Sequence, residues 1–215
     1  QKHVSKFLIC QRLGGGRARQ IACSKENIRL KLVPWGGVAV NLSIGAKRVG
    51  RAFCFLPLPA ETGLPVHVHG YFELSSNRRN IWFGDDMAGE GAIKAKWNSA
   101  LLEDIVAPCY KQLLLDARKI MASGINSNDN SGTQYYELFP KSVPGGPWAK
   151  FTEAFFRTIR DAPILYSLAD GGQWISPEDA FLVRKGLFPK GTLERLVTLL
   201  LQENIPVVDV FDDGL

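Results

Sequence analysis

The sequence has no uncharged apolar run approaching the roughly 18–20 residues that a membrane-spanning helix needs, so no helical anchor and no membrane partner are expected. It has no C-x-x-C pair. Cys10, Cys23, Cys54 and Cys109 stand far apart and mostly inside apolar runs, which reads as reduced, buried thiols in a reducing, cytoplasmic setting rather than as disulfides or a metal knot. Histidine is scarce: His67 and His69 share one face of an expected strand, and His3 is the only other one. A zinc site needs at least a third ligand, so no metal is expected. There is no G-x-S-x-G, and no cysteine has a base beside it in sequence, which leaves nucleophilic catalysis without support. Gln1–Lys6 carries neither an initiator Met nor an apolar signal core, and the chain is expected to be an excised piece of a longer protein.

What is present is an ordinary globular composition. Of 215 residues, 46% are hydrophobic and 22% charged, enough for one large domain or two small ones with real cores. The net charge of +5 hides an asymmetry. Residues 1–84 hold 13 Lys/Arg against 3 Asp/Glu, whereas residues 85–215 hold 13 against 18. A basic half joined to an acidic half points to an anionic partner for the first, to an interface between the two, or simply to a solvated basic face.

Along the chain, Lys6–Gln11 reads as a strand and Gly14-Gly15-Gly16-Arg17 as a loop without a helix signal. Ile28–Val33 alternates apolar and basic residues at a strand's period of two, and Pro34-Trp35-Gly36-Gly37 turns the chain into the apolar stretch Val38–Leu42. Arg51–Leu56 reads as a buried strand, Leu58–Gly63 as a proline- and glycine-bounded turn, and Val66–Leu74 as the next strand. A long helix is expected after Asp85–Glu90, with Pro108 breaking or kinking it so that two helices meet near Ala107-Pro108. Residues 123–134 are small and polar throughout, a linker or mobile loop and the best candidate boundary. Beyond it, Pro147 should open a helix with Phe151, Ala154, Phe155, Thr158 and Ile159 on one face. Pro163–Ser167 reads as a strand, Gly171–Trp174 as a turn and Ser176–Asp179 as the start of a short helix. Thr192 should cap a helix reaching Gln202, and Val207–Phe211 should close the chain as a strand.

The stretch with most chemistry is Thr62–Phe83. Ser75, Ser76 and Asn77 lie at a strand end and are followed at once by Arg78 and Arg79. Backbone N–H groups at Ser76 and Asn77 can nest an anion there, and each guanidinium offers a planar, permanently charged fork for phosphate. Adjacent arginines can equally solvate a loop or pair with Asp85 and Asp86, and spacing alone favours that reading. The adjacent acid pairs Glu103-Asp104 and Glu178-Asp179 read as caps or solvated faces. Core packing accounts better than base stacking for Trp35, Phe53, Phe55, Trp82, Trp97, Trp148 and Trp174.

The block Arg51–Trp82, RAFCFLPLPAETGLPVHVHGYFELSSNRRNIW, closely resembles the repeat regions of the sacsin family, including plant members. Pro34–Ala39, Trp97-Asn98 with Leu101–Pro108, and more weakly Pro163–Leu165 through Trp174–Pro177, look like the same family. In that family each repeat begins with an ATPase domain of the GHKL group, named for gyrase, heat-shock chaperones, histidine kinases and mismatch-repair ATPases. This sequence holds no D-x-G-x-G for adenine and no helix with the Glu and Asn that activate water and bind magnesium. Its Gly14–Gly16 loop also lacks the Lys-Ser/Thr pair of a phosphate loop.

The resemblance therefore implies the segment that follows the ATPase domain. Its expected class is α+β. A mixed-sheet, ribosomal-protein-like or chaperone-middle-domain-like unit is expected over about residues 1–122, and a smaller α/β unit over about 135–215. It implies no cofactor in this segment itself, with ATP and magnesium in the parent protein, and as partners the upstream ATPase domain, client proteins or co-chaperones. Arg78 and Arg79 become candidate γ-phosphate sensors, with Ser76 and Asn77 as an anion nest beside them. By this reading the segment alone is not an enzyme. Two alternatives stand beside it: a non-catalytic protein-interaction scaffold, and nucleic-acid binding by the basic half, which no recognition helix, RNA-binding sheet or zinc-finger signature accompanies.

Overall fold

A computed structural model describes residues 5–43, 45–84, 88–121, 131–141, 145–183 and 189–208. The class is α+β, with a mixed sheet and six α-helices among the described residues. Two compact units divide between Phe155 and Phe156. Of the expected linker 123–134, residues 123–130 lie outside the described residues, and Ser131–Tyr136 is helical.

The first unit is built on five strands: β1 (Phe7–Leu13), β2 (Trp35–Asn41), β3 (Arg51–Cys54), β4 (Leu56–Glu61) and β5 (His67–Gly70). They lie in the order β1-β2-β5-β3-β4, antiparallel except for the parallel pair β3–β5. Alternation along β2 and β5 decides which face is covered. Val38, Val40, Val66 and Val68 are almost fully buried, and Val38 sits directly opposite Val68 in register. The helical run packs on this face.

Two glycines set how closely it packs. Gly36 and Gly70 are register partners. A Cβ at Gly70 would stand 2.9 Å from Leu101 Cδ2, and one at Gly36 would stand 3.2 Å from Val106 Cγ2. The P-W-G-G and H-V-H-G stretches thus give the sheet a shallow floor on which Leu101, Ile105 and Val106 rest.

That helical run is α2 (Gly89–Leu101), a π-helical turn (Leu102–Val106) and α3 (Ala107–Met121). Pro108 does not break it. A proline ring clashes with the carbonyl four residues back and offers no N–H. Here the turn before it widens instead, and Ala107 N–H bonds Leu102 O, five residues back. Trp97, Leu101, Leu102, Ile105, Tyr110, Leu113 and Leu114 are fully buried on or beside it, each contributing roughly 1.5–3 kcal/mol of burial. The Tyr110 ring stacks on Phe155 at 4.2 Å, and its hydroxyl donates to Leu138 O at 2.5 Å. This ties α5 (Pro147–Ile159) and the end of α4 (Ser131–Tyr136) to α3.

Several local expectations are corrected. Gly16–Cys23 is a helix, α1, despite its glycines. Its N-terminus is held from 86 residues away: Ala18 N–H donates to Asp104 Oδ2 at 3.1 Å, and Arg17 donates to Glu103 Oε2 at 2.7 Å. A Cβ on Gly16 would lie 2.6 Å from that Asp104 oxygen, so glycine leaves room for the carboxylate to reach. Ile28–Val33 is not a strand. Lys25–Leu30 forms a 3₁₀ helix in which Asn27 donates to Ile21 O, and Ile28 faces solvent. Leu58–Gly63 is not a simple turn either, because Leu56–Glu61 is strand β4. It lies at the sheet edge, where strand prolines such as Pro57 and Pro59 are tolerated. Only Cys109 among the free thiols is fully buried, and Cys23, the last residue of α1, is exposed.

The second unit holds a hairpin of β6 (Leu165–Ser167) and β7 (Gln173–Ile175), the parallel pair β8 (Phe181–Leu182) and β9 (Val207–Val208), and α6 (Lys190–Gln202). Ser167 Oγ donates to Val207 O at 2.9 Å, which joins the two small sheets. Ser176 opens a turn rather than a helix, its hydroxyl bonded to Asp179 Oδ2 before the chain extends into β8. Thr192 is not the cap of α6, which starts two residues earlier after Pro189. Residues 209–211 of the expected final strand lie outside the described residues.

Candidate functional site

The chain from Glu73 to Trp82 doubles back as a short hairpin, with Leu74 bridged to Ile81 and Trp82 N–H bonded to Glu73 O at 3.1 Å. Ser75 closes its tip: Ser75 N–H donates to Asn80 O at 2.8 Å, and Arg78 N–H donates to Ser75 O at 2.7 Å. Asn77 folds its carboxamide back into the turn, where Oδ1 accepts from Ser75 Oγ at 2.7 Å and from Arg79 N–H at 3.0 Å. Such Asx geometry lets Arg78 take a left-handed backbone, φ 55°. The turn therefore uses most of its own amide donors. The N–H groups of Ser76 and Asn77 have no acceptor among the described residues.

The Arg78 and Arg79 residues are exposed at this tip, and neither has an ion-pair partner among the described residues. Asp85 and Asp86, the acids weighed as their partners, lie outside the described residues. The structure thus places Ser76, Asn77, Arg78 and Arg79 together on one exposed tip.

What holds that tip is a residue to which the sequence alone assigns no role. Asn98 on α2 is completely buried. Its Nδ2 donates to Glu73 O at 2.8 Å and Trp82 O at 2.9 Å, while its Oδ1 accepts from Glu73 N–H at 2.9 Å. The neighbouring Trp97 Nε1 donates to Tyr71 O at 2.8 Å, and Trp82 Nε1 donates to Leu74 O at 2.6 Å. A buried carboxamide with three backbone partners fixes both legs of the hairpin to the helix, as buried polar groups must be satisfied. The available signal was an Asn inside the apolar face of a helix.

The sheet face away from the helices carries a second cluster. Trp35 meets His69 edge-on at 4.8 Å, Phe55 meets Tyr71 at 4.8 Å, and Phe53 meets His67 at 5.6 Å. Phe7, Ile9, Leu13 and Phe55 are exposed beside them. The two histidines are bound as neutral acceptors. His67 Nδ1 accepts Arg51 N–H at 3.2 Å and His69 Nε2 accepts Phe55 N–H at 3.0 Å. Burial pushes both below the ordinary 6.5, helped at His67 by the Arg51 charge. Among the described residues no group of three His, Cys, Asp or Glu side chains could hold a metal ion.

A depressed histidine means that the unfolded chain binds more protons than the folded one below pH 6.5, so acid destabilises the fold. The melting temperature should fall between pH 7 and pH 5, and fall less in the His67→Gln, His69→Gln double variant, whose amides still accept the two N–H groups. Equal slopes by differential scanning calorimetry would exclude these residues as the source.

The residues of the hairpin, its Asn98 clamp and the glycine floor lie within the stretches whose likeness to a known family was noted from sequence. Over 121 residues, 54% of this chain, the sequence is 40% identical to human sacsin. This similarity supports membership of the sacsin family. The chain spans about 3% of the length of that relative. No protein-family profile matches this chain. No solved structure matches it. Among the described residues no helix is long and apolar enough to cross a membrane.

Proposed function

We propose that this sacsin-like segment couples an upstream GHKL-type ATPase domain of a cytoplasmic chaperone to client or co-chaperone binding. It has no complete nucleotide pocket of its own, and no hydrolysis is expected from it alone. The observation that carries the reading is the tip at Asn77-Arg78-Arg79. Two solvent-facing arginines without ion-pair partners among the described residues lie on a hairpin clamped to α2 by Asn98. A permanently charged fork on a pre-organised support is what phosphoryl-transfer sites recruit to stabilise transferred charge. In the parent protein, ATP with magnesium would supply the reacting phosphate. This chain's part is to place Arg78 or Arg79 against the phosphate's developing charge and to pass the hairpin's position to α2. The ribosomal-protein-like or chaperone-middle-domain-like character of the first unit belongs to the same proposal, supported by a mixed sheet with helices on one face.

Joining the native upstream domain to this chain and measuring ATP hydrolysis tests it. Arg78→Ala or Arg79→Ala is expected to lower turnover on the order of 100-fold, with ATP binding little changed. Wild-type turnover in both variants would remove the phosphate role.

A second reading, a protein-interaction scaffold without catalysis, is favoured by the exposed Phe7, Ile9, Leu13 and Phe55 on one sheet face. An upstream domain that lacks the magnesium-binding Asn and the adenine-binding D-x-G-x-G would decide for it.

A further inference from the structure

Between β2 and β3 the chain buries an arginine that the hairpin site does not use. The Arg48 side chain is only 6% exposed. Its Nε donates to Asn41 O at 3.2 Å, and its Nη1 pairs with Glu137. Its Nη2 is buried with no hydrogen-bond partner among the described residues. A buried guanidinium nitrogen without an acceptor is costly, and natural sites rarely keep one idle.

Arg48 lines a cavity of about 420 Å³, within the range of small-molecule sites. Lys47 and Lys141 also line it, and Glu137 is the one carboxylate among its described lining residues. Neither lysine has an ion-pair partner among the described residues. With Glu137 offsetting Arg48, two positive charges remain over. Leu64 and Phe139 supply the apolar remainder.

We infer that this cavity binds a small organic phosphate, its dianionic head on the Arg48 guanidinium, Lys47 and Lys141 and its apolar body against Leu64 and Phe139. A phosphate matches the two excess charges, and a guanidinium edge donates to phosphate oxygens in a fixed plane. The site lies between β2 and β3 rather than on the arginine hairpin, so it goes beyond the coupling function and survives that proposal's failure.

The test titrates the whole chain with phenyl phosphate, inorganic phosphate and benzoate at constant ionic strength, following the Arg48 Nε–H resonance. Phenyl phosphate is expected to shift that resonance and to bind more tightly than either of the other two. Lys141→Gln should weaken it about tenfold, the value of one charge-assisted bond. Glu137→Gln, which removes the carboxylate competing for Arg48, should tighten it about threefold or more. The second variant guards against misreading lost folding as lost binding, since a gain cannot come from unfolding. No movement of Arg48 Nε–H, equal affinity across the variants, or benzoate binding as tightly as phenyl phosphate would overturn the assignment.

Discussion

Asn98→Leu is expected to cost the fold about 2–3 kcal/mol, measured by urea unfolding, and to loosen residues 73–82 before anything else. Leucine fills nearly the same volume, so little packing is lost. What is lost is the partner of two part-buried backbone groups, Glu73 N–H and Trp82 O, while Glu73 O loses one of two donors and keeps Trp82 N–H at 3.1 Å. Each group left without a partner costs about 1–3 kcal/mol, and partial hydration of the loosened legs keeps the sum toward the low end. The discriminating readout is local. Amide exchange at Arg79 and Asn80 should accelerate together in the variant, while the β1–β2 ladder keeps its protection. A loss under about 1 kcal/mol would mean that Trp97 and Trp82 hold the hairpin without the carboxamide.

Gly50→Ala is the second large effect, about 3 kcal/mol or more by the same unfolding measurement. Gly50 N–H bonds Leu64 O at 2.7 Å, and Gly50 O accepts Thr62 N–H at 3.1 Å, so the chain from Thr62 to Val66 wraps directly over it. A methyl group there would lie 2.1 Å from Val66 O and 2.5 Å from Leu64 O. Both obstacles are backbone atoms leading into β5, and Val66 itself is fully buried. Relief therefore requires moving the start of the strand that carries His67 and His69. Gly45→Ala meets no atom within 4 Å, although its positive φ of 70° disfavours a side chain. A similar loss in both variants would point to backbone conformation rather than to the close approach over Gly50.

These two positions show where the sequence was readable and where it was not. Strand β5 could be read because alternation states which residues face a core, whereas Trp35-Gly36-Gly37, expected as a turn, already belongs to strand β2, where Val38 pairs in register with Val68. Ile28–Val33 carries the same alternation and still coils into a 3₁₀ turn, since its fate rests on Asn27 reaching back to Ile21. Helix α1 could not be read locally at all, because its N-terminus is satisfied by Asp104, 86 residues later. Pro108 was correctly seen as incompatible with a regular α-turn. That the conflict resolves as a π-turn rather than a break depends on Leu101, Ile105 and Val106 staying seated on the sheet.

At the candidate site the turn-forming residues Ser75, Asn77 and Asn80 announced a loop, and Arg78 and Arg79 announced its charge. The clamp that orients the loop lies 16 residues beyond Trp82, and Arg48 gave no sign in sequence of being buried with a free nitrogen.

The central claim is that the Asn77-Arg78-Arg79 tip meets a nucleotide phosphate carried by the upstream domain. Hydrogen exchange on the parent protein, with and without a non-hydrolysable ATP analogue, addresses it most directly. Exchange across residues 75–82 should slow when the analogue is bound, and the slowing should vanish in the Arg78→Ala, Arg79→Ala double variant. Identical exchange in this hairpin with and without the analogue, in a protein shown to bind it, would contradict the account.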